Sequence, residues 1–306
     1  MSKAVIDVGS NSIRMLLQKT ERNAEPTRQY YRQVTRLAGD FSPETGLAQQ
    51  SMARTMAALQ MFADLTKQHN VFEVTAVGTA VLRNAKNSRE FIAIIKKQTG
   101  LDVSIISGKT EALLSCRGIL SVLSPAPERA ILFDIGGGST EIILMDNSEI
   151  IYQISLPLGV VRLLEQYPGS DNYYAAIHTA LEPLINNKSC QRWQKEKQPI
   201  ELIGTAGTVT TLAAINLKMD DYDGSLVNNL ILEKSWLYKL SHLLTGMSLR
   251  KRAEIPGMEA GRADVILPGL QIVCSLLEIA QCNDLRVANA GLLEGLFLNE
   301  GQTTFI

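Results

Sequence analysis

The chain repeats its own opening motif near its middle. Residues 5–17 read VIDVGSNSIRMLL and residues 132–144 read LFDIGGGSTEIIL, and the two segments align without a gap. They share an aspartate at the end of an apolar run, a glycine, a serine and a closing apolar run. A repeat at the start of each half indicates two related domains that face each other.

The same order of predicted elements follows each copy of the motif. In the first half, hydrophobic periodicity predicts strands at 4–8, 13–19, 27–37, 71–77 and 101–106 and helices at 51–69, 88–100 and 108–123. In the second half it predicts strands at 130–134, 141–145, 149–155 and 200–203, a helix around 171–185 and another after 204. These patterns indicate an α/β protein with mixed sheets flanked by helices.

A proline-rich segment, Ser124–Glu128, separates the two halves. We therefore predict two domains, residues 1–124 and residues 125–306. We allow the C-terminal helix, residues 291–306, to pack back onto the first domain.

Composition excludes several classes of function. The 30 basic and 31 acidic residues leave a net charge of −1, so no global field attracts a nucleic acid. The three histidines and four cysteines show no spacing typical of a zinc site. No apolar run is long enough for a membrane span, and Asp7 interrupts the first residues before an apolar region could form, so we expect no signal peptide. We expect a cytoplasmic protein without a nucleic-acid or membrane partner, and we leave a homodimer open.

Both copies of the motif place small residues between two predicted strands. The two loops consist of Gly9, Ser10, Asn11 and Ser12, and of Gly136, Gly137, Gly138 and Ser139. Backbone N–H groups and hydroxyls in such a loop can converge on a phosphate oxygen. One such loop alone is equally typical of a hairpin turn. Two aligned loops, each after an aspartate, favour a phosphate clamp that closes from both sides.

Three carboxylates accompany these loops. Asp7 and Asp134 end the strands before them, and Glu141 follows the second loop. Mg²⁺ binds one or two carboxylates together with water and phosphate oxygens, so the three acids are candidate ligands for Mg²⁺ or another divalent cation. The alternatives are turn-capping aspartates and an exposed strand glutamate.

Glu111 lies in the first turn of a predicted helix, and one interpretation is a general base that orients and deprotonates a water molecule. The alternative is a capping-box glutamate. Arg14 adjoins the first loop, and Arg83 follows Thr79 in a further loop, so these residues are candidates for phosphate binding. A third glycine-rich turn, residues 204–208, adds Gly207 and Thr208 to that set.

Taken together, these motifs resemble the exopolyphosphatase and guanosine pentaphosphate phosphohydrolase family (Ppx/GppA), within the actin-like phosphotransferase superfamily. The resemblance covers about residues 4–298 and rests on the segments 6–14, 35–37, 78–85, 106–112, 134–141, 156–159, 204–208 and 262–269. It implies a short two-domain form with two actin-like (ribonuclease H-like) domains and an active-site cleft between them. It also implies that Glu111 is catalytic, that Asp134 and Glu141 orient metal or water, and that both loops and Arg83 bind phosphate.

Departures from the family pattern concern substrate preference more than the fold. Leu293 stands where an arginine is usual, and Thr110 precedes Glu111 where the family often has a second glutamate. The expected reaction is release of terminal orthophosphate from inorganic polyphosphate by metal-assisted attack of water. The alternatives are hydrolysis of guanosine pentaphosphate (pppGpp) to ppGpp, an actin-like kinase, and a non-catalytic nucleotide or polyphosphate sensor.

Overall fold

A computed structural model describes residues 2–19, 26–42, 44–147, 149–196 and 199–299. They form two compact units. Unit 1 contains the described residues of Met1–Gly118 and Leu292–Ile306, and unit 2 contains those of Ile119–Gly291. Residues 300–306 of the predicted C-terminal helix lie outside the described residues.

Unit 1 is built on a five-stranded sheet. Its elements are β1 (Lys3–Val8), β2 (Ser12–Lys19), β3 (Thr27–Val34), α1 (Gln49–Gln68), β4 (Glu73–Gly78), α2 (Ala80–Asn84), α3 (Ser88–Thr99), β5 (Val103–Ile105) and α4 (Gly108–Leu120), with α12 (Leu292–Leu298) from the end of the chain. The strand order is β3-β2-β1-β4-β5. β1 pairs antiparallel with β2 and parallel with β4.

Unit 2 is built on a six-stranded sheet. Its elements are β6 (Arg129–Ile135), β7 (Thr140–Asp146), β8 (Glu149–Leu156), α5 (Val160–Gln166), α6 (Tyr174–Ile185), α7 (Lys188–Glu196), β9 (Glu201–Thr205), α8 (Ala206–Leu217), β10 (Ile231–Glu233), α9 (Lys234–Leu244), α10 (Leu249–Ala253), α11 (Ile266–Ala280) and β11 (Asp284–Val287). The strand order is β10-β11-β9-β6-β7-β8.

The two sheets have the same topology, which confirms the fold class predicted from the repeat. The order β3-β2-β1-β4-β5 corresponds strand for strand to β8-β7-β6-β9-β11, with β10 added at one edge. The first three strands of each sheet are antiparallel neighbours, and the next two strands join in parallel. The additional strand β10 pairs antiparallel with β11. Each sheet contributes to an apolar core, with helices α1 and α3 in unit 1 and α8 and α11 among those of unit 2.

Helix α12 belongs to the core of unit 1 although it is distant in sequence. Leu292, Leu293 and Leu296 pack against Val5 of β1 and Leu114 of α4. A Cβ atom at Gly295 would collide with the carbonyl oxygen of Leu114, so the two helices approach at a position that only glycine permits. This contact lies one turn of α4 beyond the candidate base Glu111.

The predicted extended segment 27–37 ends earlier in the structure, at Val34. Arg36 adopts a left-handed conformation with φ of 47°, which no strand can continue. The backbone N–H groups of Thr35 and Arg36 both donate to the carbonyl oxygen of Asn11, at 3.0 and 2.8 Å. The chain therefore turns back onto the first small-residue loop instead of extending β3.

A buried arginine of β11, Arg286, forms hydrogen bonds both with β9 and with the segment before β6. The guanidinium of Arg286 donates to Glu201 Oε2 at 2.9 Å, to the carbonyl oxygen of Pro125 at 3.0 Å and to Asn229 Oδ1. Asn229 Nδ2 in turn donates to the carbonyl oxygen of Val122 at 3.0 Å. One cation thus serves three acceptors on separate parts of the chain.

Replacing Arg286 with methionine tests this network. We expect Arg286→Met to destabilise unit 2 by about 2 to 3 kcal/mol, because it removes a charged donor from the part-buried Pro125 carbonyl, from Glu201 and from Asn229. Urea unfolding followed by tryptophan fluorescence measures the effect, since Trp193 and Trp236 both lie in unit 2.

The matched control is Arg250→Met. Arg250 forms an i,i+4 pair with Glu254, and its side chain is 90% exposed. Exposed pairs of this kind contribute about 0.5 kcal/mol or less. Equal unfolding midpoints for the two variants would contradict the structural role of Arg286.

Candidate functional site

A row of polar side chains crosses four strands of the unit 2 sheet. The strand register places Asp134 opposite Glu141 and opposite Thr205, and it places Glu141 opposite Ser155. Residues directly opposite each other project from the same face of a sheet. The row therefore holds two carboxylates side by side between two hydroxyl groups.

Glu141 is only 6% exposed, so it is not the exposed strand glutamate that the sequence left open. Ser155 Oγ donates to Glu141 Oε1 at 2.7 Å and helps to fix that carboxylate. Thr205 Oγ1 donates to the carbonyl oxygen of Ala290 at 2.6 Å. Ser155 and Thr205 were not predicted as site residues, because only the strand register identifies them.

The corresponding row of unit 1 carries the opposite charge. Asp7 lies opposite Arg14, and Arg14 lies opposite Arg32. The repeat aligns Asp7 with Asp134 and Arg14 with Glu141. The same position therefore holds a cation in one unit and an anion in the other.

Asp7 is 3% exposed and is bonded by Arg14. Arg14 Nε and Nη2 donate to Asp7 Oδ2 at 3.1 and 2.7 Å. The second carboxylate oxygen, Oδ1, is buried and has no hydrogen-bond partner among the described residues. The structure thus pairs Arg14, predicted to bind phosphate, with Asp7, predicted both to bind phosphate and to hold a metal, and it leaves one oxygen of Asp7 for a further ligand.

The two small-residue loops have the same turn geometry. Gly9 N–H donates to the carbonyl oxygen of Ser12 at 3.2 Å, and Gly136 N–H donates to that of Ser139 at 2.9 Å. A Cβ atom would lie 2.9 Å from this oxygen at Gly9 and 3.1 Å at Gly136. Close approach of a carbonyl, and not a positive φ, is the reason for glycine at both positions.

In the first loop, backbone N–H groups of the segment after β3 donate to the carbonyl groups of the loop. The carbonyl oxygen of Ser10 accepts from Ala38 N–H at 2.9 Å, and that of Asn11 accepts from the N–H groups of Thr35 and Arg36. A trans peptide is planar, with C=O and the next N–H on opposite sides. The N–H groups of Asn11 and Ser12 therefore point away from the supporting chain, as a phosphate-binding loop requires.

In the second loop, the start of α5 takes the same role. The carbonyl oxygen of Gly136 accepts from Val160 N–H at 3.1 Å, and that of Gly137 accepts from Val161 N–H at 2.9 Å. The carbonyl oxygen of Gly138 accepts from the side chain of Arg162, whose Nε donates at 3.0 Å. The following N–H groups, up to that of Ser139, face the opposite way.

Glu111 lies in the first turn of α4 and is 8% exposed. Arg83 Nη1 donates to Glu111 Oε2 at 3.1 Å and to the carbonyl oxygen of Ile106 at 2.8 Å. The helix is capped by Ser107, whose Oγ accepts from Thr110 N–H at 3.1 Å. A capping-box glutamate would stand three positions after Ser107, whereas Glu111 stands four after it, and its carboxylate is bonded by the guanidinium of Arg83. Thr79, the N-cap of α2, precedes Arg83 by four positions, and its side chain is buried.

The third glycine-rich turn differs from the first two loops. Gly207 lies in the first turn of α8, where a Cβ atom would collide with the guanidinium of Arg262. Thr208 is 1% exposed and packs against Gly269 of α11, and its hydroxyl has no partner among the described residues. The structure therefore places the Thr208 side chain within the packing of unit 2 and not on a loop surface.

The acidic row is suited to a divalent cation. No three His, Cys, Asp or Glu side chains cluster into a metal site within the part of the chain that the structure describes. Mg²⁺ does not need three, because it keeps several waters and takes one or two carboxylates plus phosphate oxygens. Asp134 and Glu141 of unit 2 supply such a pair.

Two sheets of common topology, each with a glycine-serine hairpin beside an aspartate, define an actin-like phosphate-handling protein. A model of the Ppx/GppA phosphatase family matches residues 28–303. The chain belongs to this family and is accordingly classed as a phosphoanhydride hydrolase.

Relatives of known name cover almost the entire chain. Exopolyphosphatase 2 of Mycobacterium tuberculosis is 30% identical over 320 aligned residues, which cover 97% of each chain. The crystal structure of an exopolyphosphatase from Cytophaga hutchinsonii has a TM-score of 0.86 and 26% identity, with 97% of each chain covered. The Aquifex aeolicus PPX-GPPA enzyme has a TM-score of 0.76 and 28% identity, with 98% of this chain and 99% of that one covered.

In the described residues, no helix is both long and apolar enough to cross a membrane.

Gly159, which ends one of the motif segments, is a further residue beside the second loop, and the sequence predicted no role for it. A Cβ atom there would collide with the carbonyl group of Gly137, because the start of α5 presses against the second loop. We expect Gly159→Ala to displace the loop and to lower phosphate release by about 10- to 100-fold, as misplacement on the order of 1 Å does at other sites. A steady-state assay of phosphate release measures this.

Gly169→Ala is the matched control for Gly159→Ala. Gly169 has a φ of 76°, and no atom lies within 4 Å of a Cβ there, so alanine adds backbone strain without a collision. We expect a cost of about 1 kcal/mol in stability and no loss of activity for the control. Full activity of Gly159→Ala would contradict the close packing of loop and helix.

Proposed function

We propose that this protein releases terminal orthophosphate from inorganic polyphosphate by direct attack of water. The observation that carries the proposal is the buried carboxylate of Glu111, which Arg83 holds in place at the start of α4. A carboxylate fixed in this way is suited to orient a water molecule and accept its proton. The relatives named exopolyphosphatase support the choice of substrate.

In the proposed reaction, the water oxygen bonds to the terminal phosphorus while the bridging P–O bond breaks. The shortened polyphosphate leaves with the bridging oxygen and its electron pair, and Glu111 takes the proton of the water. Positioning and charge stabilisation supply most of the rate in such reactions. The N–H groups of the two loops, together with Arg83, are proposed to hold the terminal phosphate.

We propose that Asp134 and Glu141 hold Mg²⁺ or a similar cation, with Ser155 fixing the glutamate. We also propose Asp7 as a ligand, because its Oδ1 has no hydrogen-bond partner among the described residues. The cation, when bound, offsets negative charge on the transferring phosphoryl group.

Direct attack by water is preferred over a covalent thiol mechanism. All four cysteines are buried. Burial raises the pKa of Cys116, which lies on the same helix as Glu111, to about 11. This thiol is therefore protonated near neutral pH and is a poor nucleophile.

Hydrolysis of guanosine pentaphosphate is the second candidate. The Aquifex relative carries both parts of the family name, and the same groups serve the terminal phosphate of either substrate. The leaving group differs, not the attacking water. A parallel assay of the two substrates therefore separates the candidates.

Glu111→Gln tests the proposed base. We expect turnover of polyphosphate to fall by about 10²- to 10⁴-fold, because glutamine cannot accept the proton, while substrate binding is retained. Phosphate release with Mg²⁺ is measured from long-chain polyphosphate and from guanosine pentaphosphate in parallel, and binding by calorimetry.

The matched control is Glu90→Gln, which changes an exposed glutamate in the first turn of another helix of unit 1, α3. We expect wild-type turnover from this variant. Normal turnover by Glu111→Gln would exclude the proposed base. Turnover of guanosine pentaphosphate alone would favour the second candidate, and transfer of phosphate to an acceptor instead of water would indicate a kinase.

A further inference from the structure

The last peptide of each small-residue loop is held differently in the two units. The repeat aligns Asn11–Ser12 of the first loop with Gly138–Ser139 of the second. Two main-chain N–H groups, of Thr35 and Arg36, bind the Asn11 carbonyl. The only donor to the Gly138 carbonyl among the described hydrogen bonds is a side-chain atom, Arg162 Nε.

The side chain of Arg162 acts where the loop is most adaptable. Residues 136–138 are three successive glycines, which have the widest choice of backbone conformations. Main-chain donors of α5 fix the carbonyl groups of Gly136 and Gly137. The orientation of the next peptide, and with it the direction of Ser139 N–H, depends on one arginine.

The charge of Arg162 is not balanced by an ion pair. In the part of the chain that the structure describes, no carboxylate forms a salt bridge with its guanidinium, and the Nε contact to Gly138 is its one side-chain hydrogen bond. The contact is part-buried. A positive charge directly behind the loop favours an anion bound at its N–H side.

The start of α5 cannot move away from the loop independently. Gly159 contacts Gly137 so closely that a Cβ atom would collide with it. The backbone N–H groups of Val161 and Arg162 both donate to the Gly137 carbonyl, at 2.9 and 3.1 Å. The backbone that bears Arg162 is therefore itself bonded to the loop, and a positioning side chain needs such a rigid attachment.

We propose that Arg162 is a positioning residue for phosphate binding in this enzyme. It holds the Gly138–Ser139 peptide so that Ser139 N–H points to the bound phosphate, and its uncompensated charge strengthens that interaction. The proposal rests on the proposed function, because it assigns the second loop to the terminal phosphate. It gives Arg162 no direct contact with substrate.

The test compares Arg162→Met, Arg162→Lys and wild type. We expect Arg162→Met to lower kcat/KM for phosphate release from polyphosphate by about 10- to 100-fold, since a misplaced binding group has this effect. We expect Arg162→Lys to recover part of the loss, because it keeps the charge and one donor. Arg192→Met is the control, since Arg192 is an exposed residue of α7 that pairs with Glu196.

A second measurement is independent of turnover. Hydrogen–deuterium exchange without substrate reports on the segment 136–140, and we expect Arg162→Met to raise its exchange while the rest of unit 2 stays protected. Unchanged exchange with unchanged kcat/KM would overturn the proposal. Loss of protection throughout unit 2 would also overturn it, because the role would then be one of general stability.

The two measurements separate the inference from the proposed function. If the wild type releases no phosphate from polyphosphate, the proposed function fails, and the exchange of segment 136–140 still decides whether Arg162 holds the loop. If the wild type is active and Arg162→Met matches it in both measurements, only the inference fails.

Discussion

The antiparallel register of the first hairpin in each sheet is the constraint on which the rest of the site depends. It sets Asp7 beside Arg14 in one unit and Asp134 beside Glu141 in the other. A slip of one residue would turn each of these side chains to the opposite face and bury its neighbour instead. The tight turns closed at Gly9 and Gly136 fix that register, because each joins its two strands with a short hydrogen-bonded connection.

Much of the framework could be predicted from the sequence because it follows from local patterns. The aligned motif at 5–17 and 132–144 predicted two sheets of one topology, and both loops lie at strand ends as expected. Helix α5 was not predicted, since seven residues are fewer than a helical period of apolar positions needs to be recognised. Its position behind the second loop depends on the contact between Gly159 and Gly137, which no local pattern reveals.

The partners of the charged residues could not be predicted, for a different reason. Arg83 and Glu111 are 28 positions apart, and their contact follows from the parallel pairing of β4 and β5, which brings the ends of both strands to one edge of the sheet. Likewise, the sequence identified Glu141 but left its burial open, because burial depends on β8 covering β7 as a further strand. Residue type indicated the chemistry, whereas strand order determined which groups meet.

The exchange of Arg14 for Glu141 at one aligned position has a consequence for local charge. Two copies of one hairpin with the same residue at this position would present the same local charge. With Arg14 in one copy and Glu141 in the other, the two hairpins share a pattern of backbone hydrogen bonds but carry side chains of opposite charge beside their aspartates. One position is therefore enough to give a repeated scaffold two different local charges without any change in its fold.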